Sequence, residues 1–306
     1  MAIPEYALET KNLSKRYKGS KTHALHNLTL HVQKGEVYGF LGANGAGKST
    51  TIRTLLNFIQ PTGGQAYILG KDSVRDSVDI KHNIGYLAGD VALYDKLTGE
   101  QFLTYMAELH PLENQAYAQA LVHDFEAELR KPLGTLSKGN RQKIGIIQAL
   151  MHEPAMLILD EPTSGLDPLM QEIFFDHIKH AKQRGASVFF SSHNLAEVQR
   201  VCDRIGFLHH GKLLREQSLA ELATSAAHTF DLVFTTQAPL AELQKIKHAH
   251  VSPSAHDPLA VAIAVPAGSL QAFFGVLAQH PLKHFNQREV NLEEEFMNLY
   301  REASNG

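Results

Sequence analysis

The chain has 306 residues, of which 43% are hydrophobic and 20% charged, with a formal net charge of −3. That length holds one large domain or a medium domain with a smaller companion, and the near-average composition excludes a disordered or low-complexity chain. The single Cys202 excludes an internally disulfide-stapled secreted design and points to a reducing, cytosolic compartment, while the net charge argues against a nucleic-acid binder.

The segment Met1–Thr10 carries Glu5 and Glu9 and lacks the basic start and apolar core of a signal peptide. The longest apolar stretches, such as Leu259–Val265 and Met156–Leu159, fall far short of the ~20 residues that cross a bilayer, so any membrane role is expected to work by docking. The basic cluster Lys11, Lys15, Arg16, Lys18 and Lys21 reads as solvated surface. The chain has 18 histidines, and the pairs His23/His26, His177/His180 and His209/His210 invite a metal reading. None has the Cys/His grouping of a zinc site or an HExxH helix, so they read as scattered surface and core residues.

In chain order, Leu8–Lys11 and then Leu28, Leu30 and Val32 alternate as strands with one buried face. Val37–Leu41 is a compact apolar run, followed by a Gly-rich loop and by Thr51–Ile59, whose Ile52, Leu55, Leu56 and Ile59 have helical spacing. Pro61, Gly63 and Gly64 mark a turn before a strand at Ala66–Leu69. From about 90 to 153 the chain is helix-rich, with Phe102, Leu103, Met106 and Leu109 as one stripe and Ile144, Ile147, Leu150 and Met151 as another. Buried strands are predicted at Met156–Leu159 and Ser187–Phe190, separated by a helix bearing Ile173, Phe174 and Ile178. Strands alternating with helices imply a parallel sheet.

Short strands at Ile205–Leu208 and Lys212–Leu214 flank the His210-Gly211 turn, and a boundary is expected near Ser218. Beyond it the pattern restarts: Phe230–Phe234 and Leu259–Val265 read as strands, and Ala241–Lys247, Leu270–Leu277 and Leu292–Tyr300 as helices.

The run Gly42-Ala43-Asn44-Gly45-Ala46-Gly47-Lys48-Ser49, followed by Thr50, matches the phosphate-binding pattern G-x-x-x-x-G-K-[ST] between a strand and a helix. Gly45 and Gly47 let the backbone curl so that successive N–H groups point inward, and the positive end of the next helix attracts phosphate oxygens. Lys48 is expected to bridge the β- and γ-phosphates, and Ser49 to ligate Mg²⁺. Asp160-Glu161 ends an apolar run, which in an open α/β sheet places two carboxylates at the edge where ligands bind. Asp160 suits Mg²⁺, a hard cation that takes oxygen ligands, and Glu161 suits a general base for the attacking water.

The expected activity is ATP binding and hydrolysis. A nucleotide kinase, a GTPase or a motor also carries these two motifs, and no convincing N-K-x-D guanine motif is present. The discrimination rests on Leu136-Ser137-Lys138-Gly139-Asn140-Arg141-Gln142-Lys143 before an amphipathic helix, then on Ser164-Gly165-Leu166-Asp167-Pro168 and Ser191-Ser192-His193. With these in order, the chain resembles the ATP-binding cassette (ABC) proteins over about Leu8 to Arg215.

The resemblance implies an α/β, P-loop NTPase fold of the ABC nucleotide-binding type, with an antiparallel β subdomain and a helical subdomain at about 90–153. It spans residues 1–217, and a small C-terminal accessory α/β domain is expected over 218–306. The resemblance also implies that two cassettes pack head to tail around two ATP molecules. Ser137 and Gly139 would then contact the γ-phosphate held by a partner, Tyr17 would stack on adenine, Asp167 would link the sites across the dimer, and His193 would hold γ-phosphate and water.

The sequence departs from the family pattern in two places. Lys138 and Asn140 stand in the Leu-Ser-Gly-Gly-Gln signature, and a lysine at a helix N-terminus opposes the dipole unless an anion sits nearby; the partner's phosphate would serve. In Gly85-Tyr86-Leu87-Ala88-Gly89-Asp90, Gly89 occupies the position of the family's Mg²⁺-contacting Gln, and either Asp90 or water takes its place. The resemblance further implies a transporter subunit at the cytoplasmic face of the cell membrane, paired with a separately encoded permease. The tail from about Ser218, ending in Leu292-Glu293-Glu294-Glu295-Phe296-Met297-Asn298-Leu299-Tyr300, resembles the extension of bacterial exporter cassettes of the drug-exporter type. A permease coupling helix is expected beside Tyr94, Leu97, Phe102 and Tyr105, which read equally as core residues. The competing readings are a soluble cassette ATPase with a non-transport role and a nucleotide-binding switch that does not hydrolyse ATP.

Overall fold

A computed structural model describes residues 6–110, 112, 114–220, 228–254 and 257–288. The chain divides into two compact units, Met1–Gln217 and Ser218–Gly306. The first opens with β1 (Tyr6–Lys15), β2 (Leu25–Gln33), β3 (Val37–Leu41), α1 (Lys48–Leu55), β4 (Gly63–Ile68), β5 (Lys71–Asp72), α2 (Ser77–His82) and β6 (Ile84–Leu87). Three helices follow: α3 (Gly99–Leu109), α4 (Gln115–Asp124) and α5 (Lys138–Leu150). The unit closes with β7 (Met156–Asp160), α6 (Pro168–Gln183), β8 (Ser187–Ser192), α7 (Leu195–Val201), β9 (Arg204–His209) and β10 (Lys212–Ser218).

The alternating N-terminal segments pair antiparallel, with Leu8 opposite Val32 and Thr10 opposite Leu30. That register puts Leu28, Leu30 and Val32 in the core, and β4 and β5 extend the sheet in the order β2-β1-β4-β5. Thr10 lies fully buried in it, and its hydroxyl donates to Leu28 O and accepts from Leu30 N–H, so no polar group is stranded.

The second sheet has the order β10-β9-β3-β8-β7-β6, with parallel pairing from β9 through to β6. Every residue of β3, β7 and β8 is buried, the pattern of strands covered on both faces and the reason their sequences read as unbroken apolar runs. Arg204 locks the two sheets together. Its guanidinium donates to Glu36 (2.8 and 3.1 Å), Glu216 (3.0 Å) and the His31 carbonyl (2.5 Å), and lies over the Tyr38 ring.

Two helices differ from their sequence reading. α1 stops at Leu55 rather than Ile59, because Asn57 turns into the left-handed region at φ 56° and Phe58 N–H closes back on Arg53 O at 2.8 Å. Phe58 is consequently half exposed. In α3, entered through a Thr98/Gln101 capping box, Phe102 and Leu103 are buried but Leu109 faces solvent, so the apolar stripe is narrower than its spacing suggests.

The second unit contains β11 (His228–Phe234), α8 (Leu240–Leu243), β12 (His250–Pro253), β13 (Ala260–Val265), α9 (Leu270–Leu277) and β14 (Leu282–Arg288). Its strands run antiparallel in the order β12-β13-β11-β14. A β-α-β-β-α-β chain wound in that order is the ferredoxin-like arrangement. Phe230, Leu232 and Phe234 of β11 and Val261, Ile263 and Val265 of β13 share one core with Leu243, Phe273 and Leu277.

The expected helix Ala241–Lys247 is a single turn, ended before His248 at φ 59°. Strands β12 and β14 carry no apolar alternation in sequence because their residues are mostly polar and exposed, as edge strands are. The predicted helix at Leu292–Tyr300 lies outside the described residues. Among the described residues no helix is long and apolar enough to cross a membrane.

Candidate nucleotide site

The phosphate loop begins where β3 ends. Gly42 N–H donates to Ser192 O at 3.2 Å, fixing the loop to the end of β8. Gly47 requires its lack of a side chain: φ is 113°, and a Cβ would lie 2.7 Å from Ala24 O. The next residue, Lys48, opens α1 and is 6% exposed. Its Nζ donates to Gly42 O at 2.6 Å and Ala43 O at 3.3 Å, and lies 3.1 Å from Glu161 Oε1. The ammonium thus sits inside the ring of the loop, where the loop's N–H groups and the helix dipole add positive potential.

The carboxylate pair arrives on β7. Asp160 is 5% exposed and accepts a 2.5 Å hydrogen bond from Ser191 Oγ. Glu161 takes a left-handed φ of 47°, with its N–H bonded to Ser191 O at 3.1 Å. That turn at the strand end swings its carboxylate away from Asp160 and toward Lys48. The other carboxylate oxygen, Oε2, meets His193 Nδ1 at 2.6 Å, and His193 itself stands mostly in solvent just past β8. Glu161 is therefore held at both oxygens, between a buried cation and an exposed imidazole.

These groups line one cleft of about 510 Å³. Asn44, Gly45, Gly47, Lys48, Ser49 and Thr50 form one wall, and Asp90, Asp160, Glu161 and His193 come from across it. Gly42 and the buried Ala46 belong to the loop but do not line the cleft. Tyr17 flanks it, with its hydroxyl 3.4 Å from Thr50 Oγ1, its ring 42% exposed and Lys15 Nζ over the ring face at 5.5 Å.

Ser137, Gly139 and Asp167 do not line this cleft. Ser137 caps α5 by accepting from Asn140 N–H at 3.3 Å, and Asp167 caps α6 by accepting from Met170 N–H at 3.0 Å.

Arg53, Tyr86 and Ser164 also line the cleft, with side chains to which the sequence assigns no role. Arg53 was detectable, because it follows Ser49 by four residues and so shares its helix face. Tyr86 and Ser164 arrive by tertiary folding. The Tyr86 phenol is pushed up to about 12 by burial and by the charge of Asp160, with Arg53 opposing. At Gly89 a Cβ would stand 3.3 Å from Asp160 O and 3.4 Å from its Oδ2, so the loop after β6 packs its bare backbone against that carboxylate. Among the described residues no group of three or more His, Cys, Asp or Glu side chains is placed to hold a metal ion.

The ABC transporter family profile matches residues 25–164. The bacitracin transport ATP-binding protein BcrA of Enterococcus faecalis is 37% identical over 227 residues, covering 72% of each chain. A solved structure described as an ATP-binding subunit of an ABC transporter superposes with a TM-score of 0.65 at 32% identity, over 71% of this chain and 91% of that one. The dimeric, post-hydrolysis ATP-binding cassette MJ0796, bound to ADP and Pi, has a TM-score of 0.62 at 24% identity, over 69% of this chain and 98% of that one, and so supports the fold. Loop, buried lysine, paired carboxylates and histidine thus stand in a chain that belongs to the ABC transporter family, as one of its ATP-binding proteins.

Proposed function

We propose that the chain is the ATP-hydrolysing subunit of an ABC exporter, acting as a dimer of cassettes on a separately encoded permease at the cytoplasmic face of the membrane. The observation that carries this reading is the placement of Glu161, bonded to Lys48 and His193 across the mouth of the phosphate loop. The loop N–H groups and Lys48 bind the β- and γ-phosphates, and Tyr17 stacks on the adenine. Glu161 accepts the proton of the attacking water, while His193, which reaches it from solvent, orients that water against the γ-phosphate. Ser137 and Gly139 lie outside the chain's own cleft, so a second cassette supplies them and Asp167 joins the two sites.

Mg²⁺ fits this donor set. The Ser49 hydroxyl and the Asp160 and Asp90 carboxylates face one cleft and are hard oxygen donors, and Mg²⁺ commonly takes one or two protein carboxylates with water and phosphate. The ion would neutralise phosphate charge. With no side chain at Gly89, Asp90 would supply the carboxylate on that side of the cleft. Asp90→Asn is expected to raise the Mg²⁺ concentration for half-maximal turnover about tenfold, the cost of one charge-assisted contact of ~1.5 kcal/mol. An unchanged Mg²⁺ titration assigns the position to water.

Permease docking is proposed at Tyr94 and Tyr105, which are 59% and 42% exposed with their rings 6.2 Å apart, edge to face. Phe102, expected beside them, is buried and belongs to the core of its helical segment. Transport is favoured by the similarity to a bacitracin transport ATP-binding protein, export by the resemblance of the extension from about Ser218 to that of exporter cassettes, and the cargo is set by the permease. A tagged chain is expected to co-purify a multi-span membrane protein. Tyr94→Asp with Tyr105→Asp is expected to lose that protein and transport, while ATPase activity of the isolated chain stays within about twofold. A chain that brings down no membrane protein favours the non-transport ATPase.

A further inference from the structure

The run Ser137–Gly139 lies directly on the turn that follows Asp160-Glu161. Lys138 Nζ donates to Ser164 Oγ at 2.9 Å. Its stem crosses Gly165, where a Cβ would stand 3.5 Å from Lys138 Cγ and Cδ. At Gly139 a Cβ would come within 2.7 Å of Gly165 O. One turn further along α5, Gln142 is buried and donates from Nε2 to Pro162 O at 2.7 Å.

Placing a lysine in the first turn of a helix works against the dipole, and an uncharged hydroxyl does nothing to neutralise it. The contact therefore gains little as electrostatics, and what it does accomplish is geometric. Ser164 lines the chain's own nucleotide cleft together with Glu161 and His193, whereas Ser137 and Gly139 lie outside that cleft.

We propose that Lys138 is a positioning residue that ties the Ser137–Gly139 loop to Ser164, so that nucleotide in a chain's own cleft sets the orientation of the loop it offers to a second chain. The inference rests on the cassette-dimer reading and adds a route between its two sites. Coupling of this kind is reciprocal, so each site's ATP affinity depends on the other's occupancy.

The test is ATP turnover by the purified full chain as a function of ATP concentration. The wild type is expected to show a Hill coefficient above 1, and Lys138→Met and Ser164→Ala each to bring it close to 1. Because the two residues touch, their effects are expected not to multiply, and the double variant behaves like either single one. Lys138→Arg, which still reaches a hydroxyl, retains the wild-type coefficient. Circular dichroism checks that each variant is folded; Lys138 is exposed, and Ser164→Ala carries the test if Lys138→Met is not.

A wild-type coefficient of 1, an unchanged coefficient in Lys138→Met, or multiplicative losses in the double variant overturns the linkage. The dimer reading is scored separately, by ATP-dependent dimerisation of Glu161→Gln. A dimer there with an unchanged coefficient in Lys138→Met removes the linkage alone, and no dimer removes both.

Discussion

Glu161→Gln is expected to lower ATP turnover by ~10²- to 10⁴-fold, the usual contribution of a positioned general base, while ATP stays bound and a stable dimer accumulates. The substitution keeps the shape of the side chain and one accepting oxygen for Lys48 Nζ, now 3.1 Å from Oε1. What it removes is the basicity that accepts a proton from water and a negative charge that faces the incoming γ-phosphate. Losing the first stops the chemistry, and losing the second lowers the repulsion between enzyme and triphosphate. Stability changes little, because Lys48 keeps the carbonyls of Gly42 and Ala43. Size-exclusion chromatography with light scattering, with and without ATP, reads the outcome. A variant that remains monomeric at saturating ATP sinks the two-cassette arrangement, and one that turns over at the wild-type rate removes Glu161 from the role of base.

How far sequence reading reached depended on how local the signal was. The strand, loop and helix around Gly42–Ser49 were legible because an apolar run, glycines and the Lys-Ser pair are contiguous, and each has a direct conformational consequence. Asp160-Glu161 was legible because a carboxylate pair ending a buried strand can face only the sheet edge. The end of α1 was not, since only the left-handed turn at Asn57 stops the helix, and nothing before it breaks the apolar spacing. Strand β14, with the run Lys283-His284-Phe285-Asn286-Gln287, has no apolar alternation, because an edge strand needs only one neighbour to complete its pairing.

Lys138 shows a different limit. Helix electrostatics marks it as out of place and points to an anion from a second chain; within its own chain the fold adds a contact to the Ser164 hydroxyl, 26 residues away. That contact is tertiary, and one-dimensional spacing does not carry it.

Lys48→Ala is the substitution expected to act most strongly on binding. Lys48 is buried at 6% exposure, with its ammonium bonded to two loop carbonyls and paired with Glu161. Removing it takes the ammonium from Gly42 O, while Ala43 O keeps the N–H of Ala46 at 3.0 Å. It also leaves Glu161 bonded only through His193, facing the phosphate position beside the buried Asp160. The Glu161 carboxylate then confronts the triphosphate without its buried cation, in addition to the lost phosphate contact. Charge-assisted hydrogen bonds contribute ~1.5–3 kcal/mol each, so ATP affinity is expected to fall by roughly 10- to 150-fold, with turnover and ATP-dependent dimerisation lost. The deficit is confined to the phosphates, and adenosine, which we propose stacks on Tyr17 at the loop's flank, is expected to bind the variant as it binds the wild type. Calorimetric titration with ATP and with adenosine separates the two contributions. Equal losses for both ligands would mean that the loop has collapsed, and an ATP affinity within twofold of wild type would place the phosphates somewhere other than Gly42–Ser49.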